Sequence, residues 1–130
     1  MTYGAKLMGS RRIALVRIAF WAAILLSFLA AINPHPPQLP GAPSDKVQHI
    51  AAFLTLSALC FFAYRRTNPL YLGVGLSLFG ALIELVQLIP ALHRDGDVLD
   101  WVADTAATAV MLLFLHWRGT GSGRRVAGKG

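Results

Sequence analysis

The stretch PLYLGVGLSLFGALIELVQLI, residues 69–89, decides the fold. Glu84 is its only charged side chain. About 17–25 helical residues cross a hydrocarbon layer about 30 Å thick. Lipid offers no partner for backbone N–H and C=O groups, so a run of this kind satisfies them within a helix. We therefore predict a membrane-spanning helix here.

Three further apolar runs of similar length occur at residues 13–32, 47–64 and 98–116. Of the 130 residues, 55% are hydrophobic and 14% are charged, and the mean hydropathy is +0.55. Soluble domains carry roughly 45–50% apolar and about 25% charged residues, so this composition excludes a soluble domain, a disordered chain and a coiled coil. The predicted fold class is all-α, a four-transmembrane-helix bundle.

We expect one transmembrane domain at residues 13–118. A basic cytoplasmic N-terminus, residues 1–12, should precede it, and a disordered basic tail, residues 119–130, should follow it. The first run could instead be a cleaved secretory signal, since Arg11 and Arg12 precede it. Its length and the three later runs favour a retained helix.

The basic residues predict the orientation of the bundle. Ten of the twelve lie at the termini, in the connection after the second run or, for Arg17, near the start of the first run, and only Lys46 and Arg94 lie in the other two connections. The positive-inside bias then places both termini in the cytoplasm of a bacterial cell, with the protein in the cytoplasmic membrane.

The acidic residues gather at the opposite, outer end. All six lie there, together with Lys46, His49, Gln87 and Arg94; the six are Asp45, Glu84, Asp95, Asp97, Asp100 and Asp104. Helical spacing puts Asp45 and His49 on one face and aligns the last three acids on one stripe. At about 1.5 Å rise per residue, Glu84 and Asp104 each lie roughly 9 Å inside their helix ends, at similar depth.

A charge near the centre of a membrane helix costs about 2.5–3.5 kcal/mol. Glu84 and Asp104 should therefore face the bundle interior, where they are paired or protonated. Asp97 and Asp100 could simply stabilise the start of a helix, and the whole cluster could serve only to hold helices together. We nevertheless predict an outward-facing polar pocket.

Each residue type suggests a role in such a pocket. Lys46 and Arg94 could hold an anionic group. His49 and Glu84 are candidate catalytic residues because both can transfer protons near neutral pH. The other predicted ligand-binding residues are Asp45, Gln87, Asp97, Asp100 and Asp104.

The sequence assigns neither a cofactor nor a metal site. His49, Glu84, Asp100 and Asp104 together offer nitrogen and oxygen ligands that zinc or manganese accepts, so a divalent metal remains an alternative. The calcium pattern suggested by Asp95 and Asp97 lacks the spacing of an EF-hand.

The order of these motifs resembles the VanZ-like family over about residues 45–115. The resemblance is carried by Asp45-Lys46-Val47-Gln48-His49, Glu84-Leu85-Val86-Gln87, Arg94, Asp97 and Asp100. It implies a small multi-pass bacterial membrane protein of a family named after a protein linked to resistance to the glycopeptide teicoplanin. This chain departs from the family pattern at Asp104, where we expect Asn in relatives, at Phe53, where Tyr is frequent, and at Ala107, where Gly is usual.

These observations predict a role in the cell envelope. The expected partners are membrane lipids and an amphiphile such as a lipid-linked precursor or a lipophilic glycopeptide, with no nucleic acid. Two alternatives stay open: a metal-dependent hydrolase or transferase acting on a lipid phosphate, and a non-catalytic accessory membrane subunit. The sequence leaves open whether the protein is an enzyme.

Overall fold

The computed structural model describes the backbone of residues 2–35 and 40–127 and the side chains of residues 9–35 and 40–121. This part of the chain is all-helical, without a strand. Its elements are α1 (Thr2–Ile32), α2 (Asp45–Ala63), α3 (Pro69–Gln87), a 3-10 turn (Pro90–Leu92) and α4 (Val98–Ala127). Each α-helix contains a segment long and apolar enough to cross a membrane, which confirms the predicted four-helix, all-α class.

The helices pack as an antiparallel bundle with two layers of core. α4 packs against both α2 and α3, and α1 packs mainly against α2. One layer contains Phe20, Leu56, Cys60 and Leu76, near the connection between α2 and α3. The other layer lies next to it, nearer the opposite end of the bundle, and contains Ala31, Phe53, Ile83 and Ala107. Consecutive helices therefore run in opposite directions.

The outer surface of the bundle is strongly apolar. Leu25, Leu78 and Leu113 are 57%, 66% and 69% exposed, and many other large apolar side chains are exposed with them. Contiguous apolar surface of this extent needs a nonpolar environment around it. Its distribution on all four helices fits a lipid-facing surface.

Polar contacts close the end of the bundle where α2 and α3 connect. The Arg17 Nε–H donates to the Ala63 carbonyl at 3.1 Å, one of the carbonyls left unpaired in the last turn of α2. The same guanidinium lies over the Tyr64 ring, 5.0 Å from its centroid. The Asn68 side chain then caps α3 by accepting from the Leu70 N–H at 2.9 Å.

The first and last helices, α1 and α4, are longer than the apolar runs in the sequence. α1 begins at Thr2, so helix includes most of the segment expected as a separate basic N-terminus. α4 continues to Ala127, so its backbone includes most of the segment predicted as a basic tail. Residues 1 and 128–130 of the predicted terminal segments lie outside the described residues.

Candidate functional site

Most of the polar residues predicted for the site meet at the end of the bundle where α1 joins α2 and α3 joins α4. Three contacts between helices or loops connect them: His49 with Asp104, Lys46 with Asp100, and Arg94 with Asp45. The α2 and α4 N-termini and the α3 C-terminus supply most of these side chains. The end is divided into a buried cluster and a more exposed rim.

The buried cluster consists of His49, Glu84 and Asp104. Each offers one nitrogen or oxygen atom, and these three atoms lie within 4.8 Å of one another. His49 Nδ1 lies 3.4 Å from Asp104 Oδ2. Asp104 is fully buried and Glu84 is 8% exposed. Three helices therefore bring two carboxyl groups and an imidazole together inside the bundle.

The loop before α4 positions the Glu84 carboxyl group. The Asp97 backbone N–H donates to Glu84 Oε2 at 2.7 Å. This approach requires Gly96, because a Cβ atom there would lie 2.7 Å from the Glu84 carbonyl oxygen. Gly96 was not among the residues predicted for the site. The sequence signal for it was a glycine between Asp95 and Asp97, in the loop that follows the helix carrying the buried Glu84.

Two ion pairs form the rim around this cluster. Lys46 Nζ lies 3.0 Å from Asp100 Oδ1, with the two side chains 49% and 16% exposed. Arg94 Nη2 lies 3.9 Å from Asp45 Oδ2, beyond hydrogen-bonding distance, and its side chain is only 15% exposed. The partly buried Arg94 guanidinium is therefore only weakly engaged by its acidic neighbour.

A cavity of about 450 Å³ opens between α1 and α2 beside the rim. Its polar lining includes Asn33, Asp45, Gln48, His49 and Arg94, and its apolar lining includes Leu26, Ala30, Ala52, Phe53 and Ile83. Asn33 and Gln48 were not among the residues predicted for the site. Their position depends on how α1 packs against α2, which residue spacing does not reveal.

Two of the predicted ligand-binding residues make contacts that hold helix ends. Gln87 is 3% exposed, and its Nε2 donates to the Ala31 carbonyl at 3.1 Å, joining α3 to the end of α1. The exposed Asp97 carboxylate accepts from the Leu99 N–H at 2.8 Å, as a residue preceding a helix does. Both contacts hold helix ends in place near the site, and neither residue lines the cavity.

Thr108 is a buried polar residue that sequence analysis missed. It is 1% exposed, and its hydroxyl has no hydrogen-bond partner among the described residues. It lies one helical turn after Asp104. Extending the stripe of Asp97, Asp100 and Asp104 by four residues would have found it.

The cluster supports two kinds of chemistry. A carboxylate beside an imidazole nitrogen orients the ring for proton transfer. A histidine and two carboxylates can also serve as ligands of a divalent cation. No protein-family model, curated protein or solved structure matches this chain. The residues at this end of the bundle therefore carry the functional argument.

Proposed function

We propose that this protein binds an amphiphile with an anionic headgroup in the cavity between α1 and α2. The observation that carries the proposal is the two-part lining of this cavity, which is apolar beside Leu26 and Phe53 and polar beside Arg94 and His49. A lipid-linked molecule is divided in the same way, into an apolar chain and a polar headgroup. A volume of about 450 Å³ lies in the range typical of ligand pockets.

Arg94 is the residue proposed to recognise the anionic group. Its planar guanidinium can donate two parallel hydrogen bonds to a phosphate or a carboxylate. Asp45, the acid next to it, has a side chain that is 66% exposed and lies 3.9 Å away. A phosphate entering the cavity could displace this weak contact and bond to Arg94 directly.

We propose that the protein lies in the cytoplasmic membrane of a bacterium, with both termini in the cytoplasm and the cavity opening outward. The support is the distribution of basic residues, ten of which lie toward the two chain ends or in the α2–α3 connection. A cavity on the outer side would meet lipid headgroups of the outer leaflet and envelope molecules carried on lipids.

Membership of the VanZ-like family is also a proposal. Its support is the order of the motifs along residues 45–115. Such membership would fit a role in the envelope in which the amphiphile is a lipid-linked precursor or a lipophilic glycopeptide.

A second candidate function is catalysis on a lipid phosphate, as a hydrolase or transferase. One observation favours it: His49 lies both in the cavity lining and in the buried cluster with Glu84 and Asp104. A headgroup held by Arg94 would then lie near a residue able to transfer a proton.

Binding can be tested with the full chain in nanodiscs of equal phosphatidylglycerol and phosphatidylcholine, released for native mass spectrometry. We expect the wild type to retain phosphatidylglycerol preferentially. Arg94→Gln should retain about tenfold less, since hydrogen bonds to charged groups contribute about 1.5–3 kcal/mol. Arg66→Gln, which removes an exposed positive charge near the opposite end, is the control and should retain as much as the wild type.

Equal retention of the two lipids by the wild type, or full retention by Arg94→Gln, would contradict the binding proposal. The masses of the recovered lipids separate the two candidate functions. Intact lipid favours binding alone, whereas a phosphate-containing fragment formed by the wild type and absent with His49→Gln favours catalysis.

A further inference from the structure

We infer that His49, Glu84 and Asp104 form a binding site for a divalent transition-metal ion, with zinc as the ion that fits best. One imidazole nitrogen and two carboxylate oxygens from three helices lie within 4.8 Å of one another. Metal binding at this cluster can be measured without any amphiphile, so the inference stands or falls separately from the proposed function.

The only basic partner that the described side chains offer the two buried carboxylates is His49, whose Nδ1 lies 3.4 Å from Asp104 Oδ2. Among the described side chains, Lys46 pairs with Asp100 and Arg94 lies near Asp45, whereas no Lys or Arg forms an ion pair with Glu84 or Asp104. Burying an ionised carboxylate away from water is costly unless it is paired or bound to a metal. A divalent cation would neutralise both carboxylates at once.

Unpartnered oxygen atoms provide a second, independent observation. Within the part of the chain that the structure describes, nothing donates a hydrogen bond to Asp104 Oδ1 or Glu84 Oε1. The Asp104 side chain is 1% exposed and Glu84 is 8% exposed. Buried polar atoms normally have a partner, and an unpartnered one calls for an explanation such as an ion. Here two such atoms belong to the same cluster.

The spacing of the cluster fits a small ion with little rearrangement. Zinc binds nitrogen and oxygen ligands at about 2.0–2.2 Å, so neighbouring ligand atoms around a tetrahedral ion lie about 3.3–3.6 Å apart. His49 Nδ1 and Asp104 Oδ2 already lie 3.4 Å apart. That distance is long for a hydrogen bond but matches two atoms that share a metal. The Glu84 ligand oxygen lies within 4.8 Å of the His49 and Asp104 ligand atoms.

The surroundings resemble the outer shell of a metal site. The Asp97 N–H holds Glu84 Oε2, so the carboxyl group is fixed while Oε1 stays available as a ligand. Ligating carboxylates are commonly held by such outer hydrogen bonds. Three protein ligands leave one tetrahedral position open, and His49 lines the cavity through which an ion or water could reach it.

The types of ligand atom in the cluster favour some metal ions over others. Magnesium demands near-ideal octahedral geometry with oxygen ligands, and calcium takes six to eight oxygens. An imidazole combined with two carboxylates suits zinc and its first-row neighbours better. We therefore expect zinc and cobalt to bind, and magnesium to compete poorly.

The test uses the full chain in detergent, stripped of metal with a chelator and titrated with Zn²⁺ by calorimetry. Co²⁺ serves as a spectroscopic probe because its visible absorption reports tetrahedral coordination. We expect one Zn²⁺ per chain and a tetrahedral Co²⁺ spectrum. Asp104→Asn and His49→Gln should weaken binding by at least about 100-fold, since losing even an outer-shell partner costs about 10–100-fold.

The matched control is Asp95→Asn, which removes an exposed acid from the same end of the bundle. It should bind Zn²⁺ as the wild type does. Circular dichroism and size-exclusion chromatography of the metal-free variants check that each one folds. If a cluster variant does not fold, the Tm of the wild type decides: Zn²⁺ should raise it and Mg²⁺ at the same concentration should not.

Three results would overturn the inference. The first is a metal-free wild type that neither binds Zn²⁺ nor gains thermal stability from it. The second is a folded Asp104→Asn variant with wild-type affinity. The third is an equal rise in Tm with Zn²⁺ and Mg²⁺, which would indicate general binding to acidic groups.

Discussion

The Asp97 backbone N–H donates a 2.7 Å hydrogen bond to Glu84 Oε2 and so joins the start of α4 to the last turn of α3. Glu84 is thereby held at the level of His49 and Asp104, which come from two other helices. A loop residue thus fixes a buried carboxyl group through its main chain. The side chain of the same residue caps the helix that carries Asp104.

The hydrogen bond between Asp97 and Glu84 depends on Gly96, so replacing Gly96 should destabilise the protein. A Cβ atom in Gly96→Ala would lie 2.7 Å from the Glu84 carbonyl oxygen, a backbone atom that cannot move freely. We expect the free energy of unfolding to fall by about 1–3 kcal/mol, as for other overpacked sites. Thermal or denaturant unfolding in detergent measures it.

Gly75→Ala is the matched control because a Cβ atom at that position on α3 has nothing within 4 Å. Alanine is preferred over glycine in a helix by roughly 0.5–1 kcal/mol, so this variant should be at least as stable as the wild type. Equal stability of the two variants would show that the loop tolerates the added methyl group.

Gln87 is predicted to stabilise the bundle by holding the end of α1. Gln87→Met keeps a similar side-chain volume but removes the Nε2 donor to the buried Ala31 carbonyl. Leaving that carbonyl unpaired should lower the free energy of unfolding by about 1–3 kcal/mol. Unfolding in detergent, as above, is the measurement.

Gln48→Met provides the comparison. Gln48 also donates through Nε2 to a backbone carbonyl, that of Pro43 at 2.8 Å, but this contact is exposed to solvent. Water can replace this hydrogen bond, so Gln48→Met should lower the free energy of unfolding less than Gln87→Met does. If both variants lose the same stability, burial does not determine the strength of the Gln87 contact.

The proposed orientation predicts which loops a membrane-impermeant maleimide reaches in intact cells. Cys60 is the only cysteine and is buried, so Cys60→Ala gives a background free of native thiols. In that background, Ala42→Cys should be labelled from outside, because its connection belongs to the end with few basic residues. Thr67→Cys, beside Arg65 and Arg66, should be labelled only after permeabilisation.

Both substituted positions are exposed, so burial within the protein does not account for a difference between them. The reverse labelling pattern would invert the bundle and place the cavity on the cytoplasmic side. Labelling of both positions in intact cells would contradict a topology in which the two connections lie on opposite sides.

The sequence by itself determined the number and class of the helices. Lipid cannot satisfy backbone hydrogen bonds, so four long apolar runs must be helices, and the described residues form four helices of membrane-spanning length. Helical rise also gave Glu84 and Asp104 similar depths, because depth follows from counting residues along each helix.

Only the tertiary structure decided which polar residues meet. Asp100 and Asp104 lie on one stripe of α4, yet Asp100 pairs with Lys46 whereas Asp104 faces His49 and Glu84. Gln87 donates its hydrogen bond to Ala31 on α1. Residue spacing fixes the face and depth of a side chain on its own helix. The rotation of each helix and the choice of its neighbour are fixed by packing across the whole bundle.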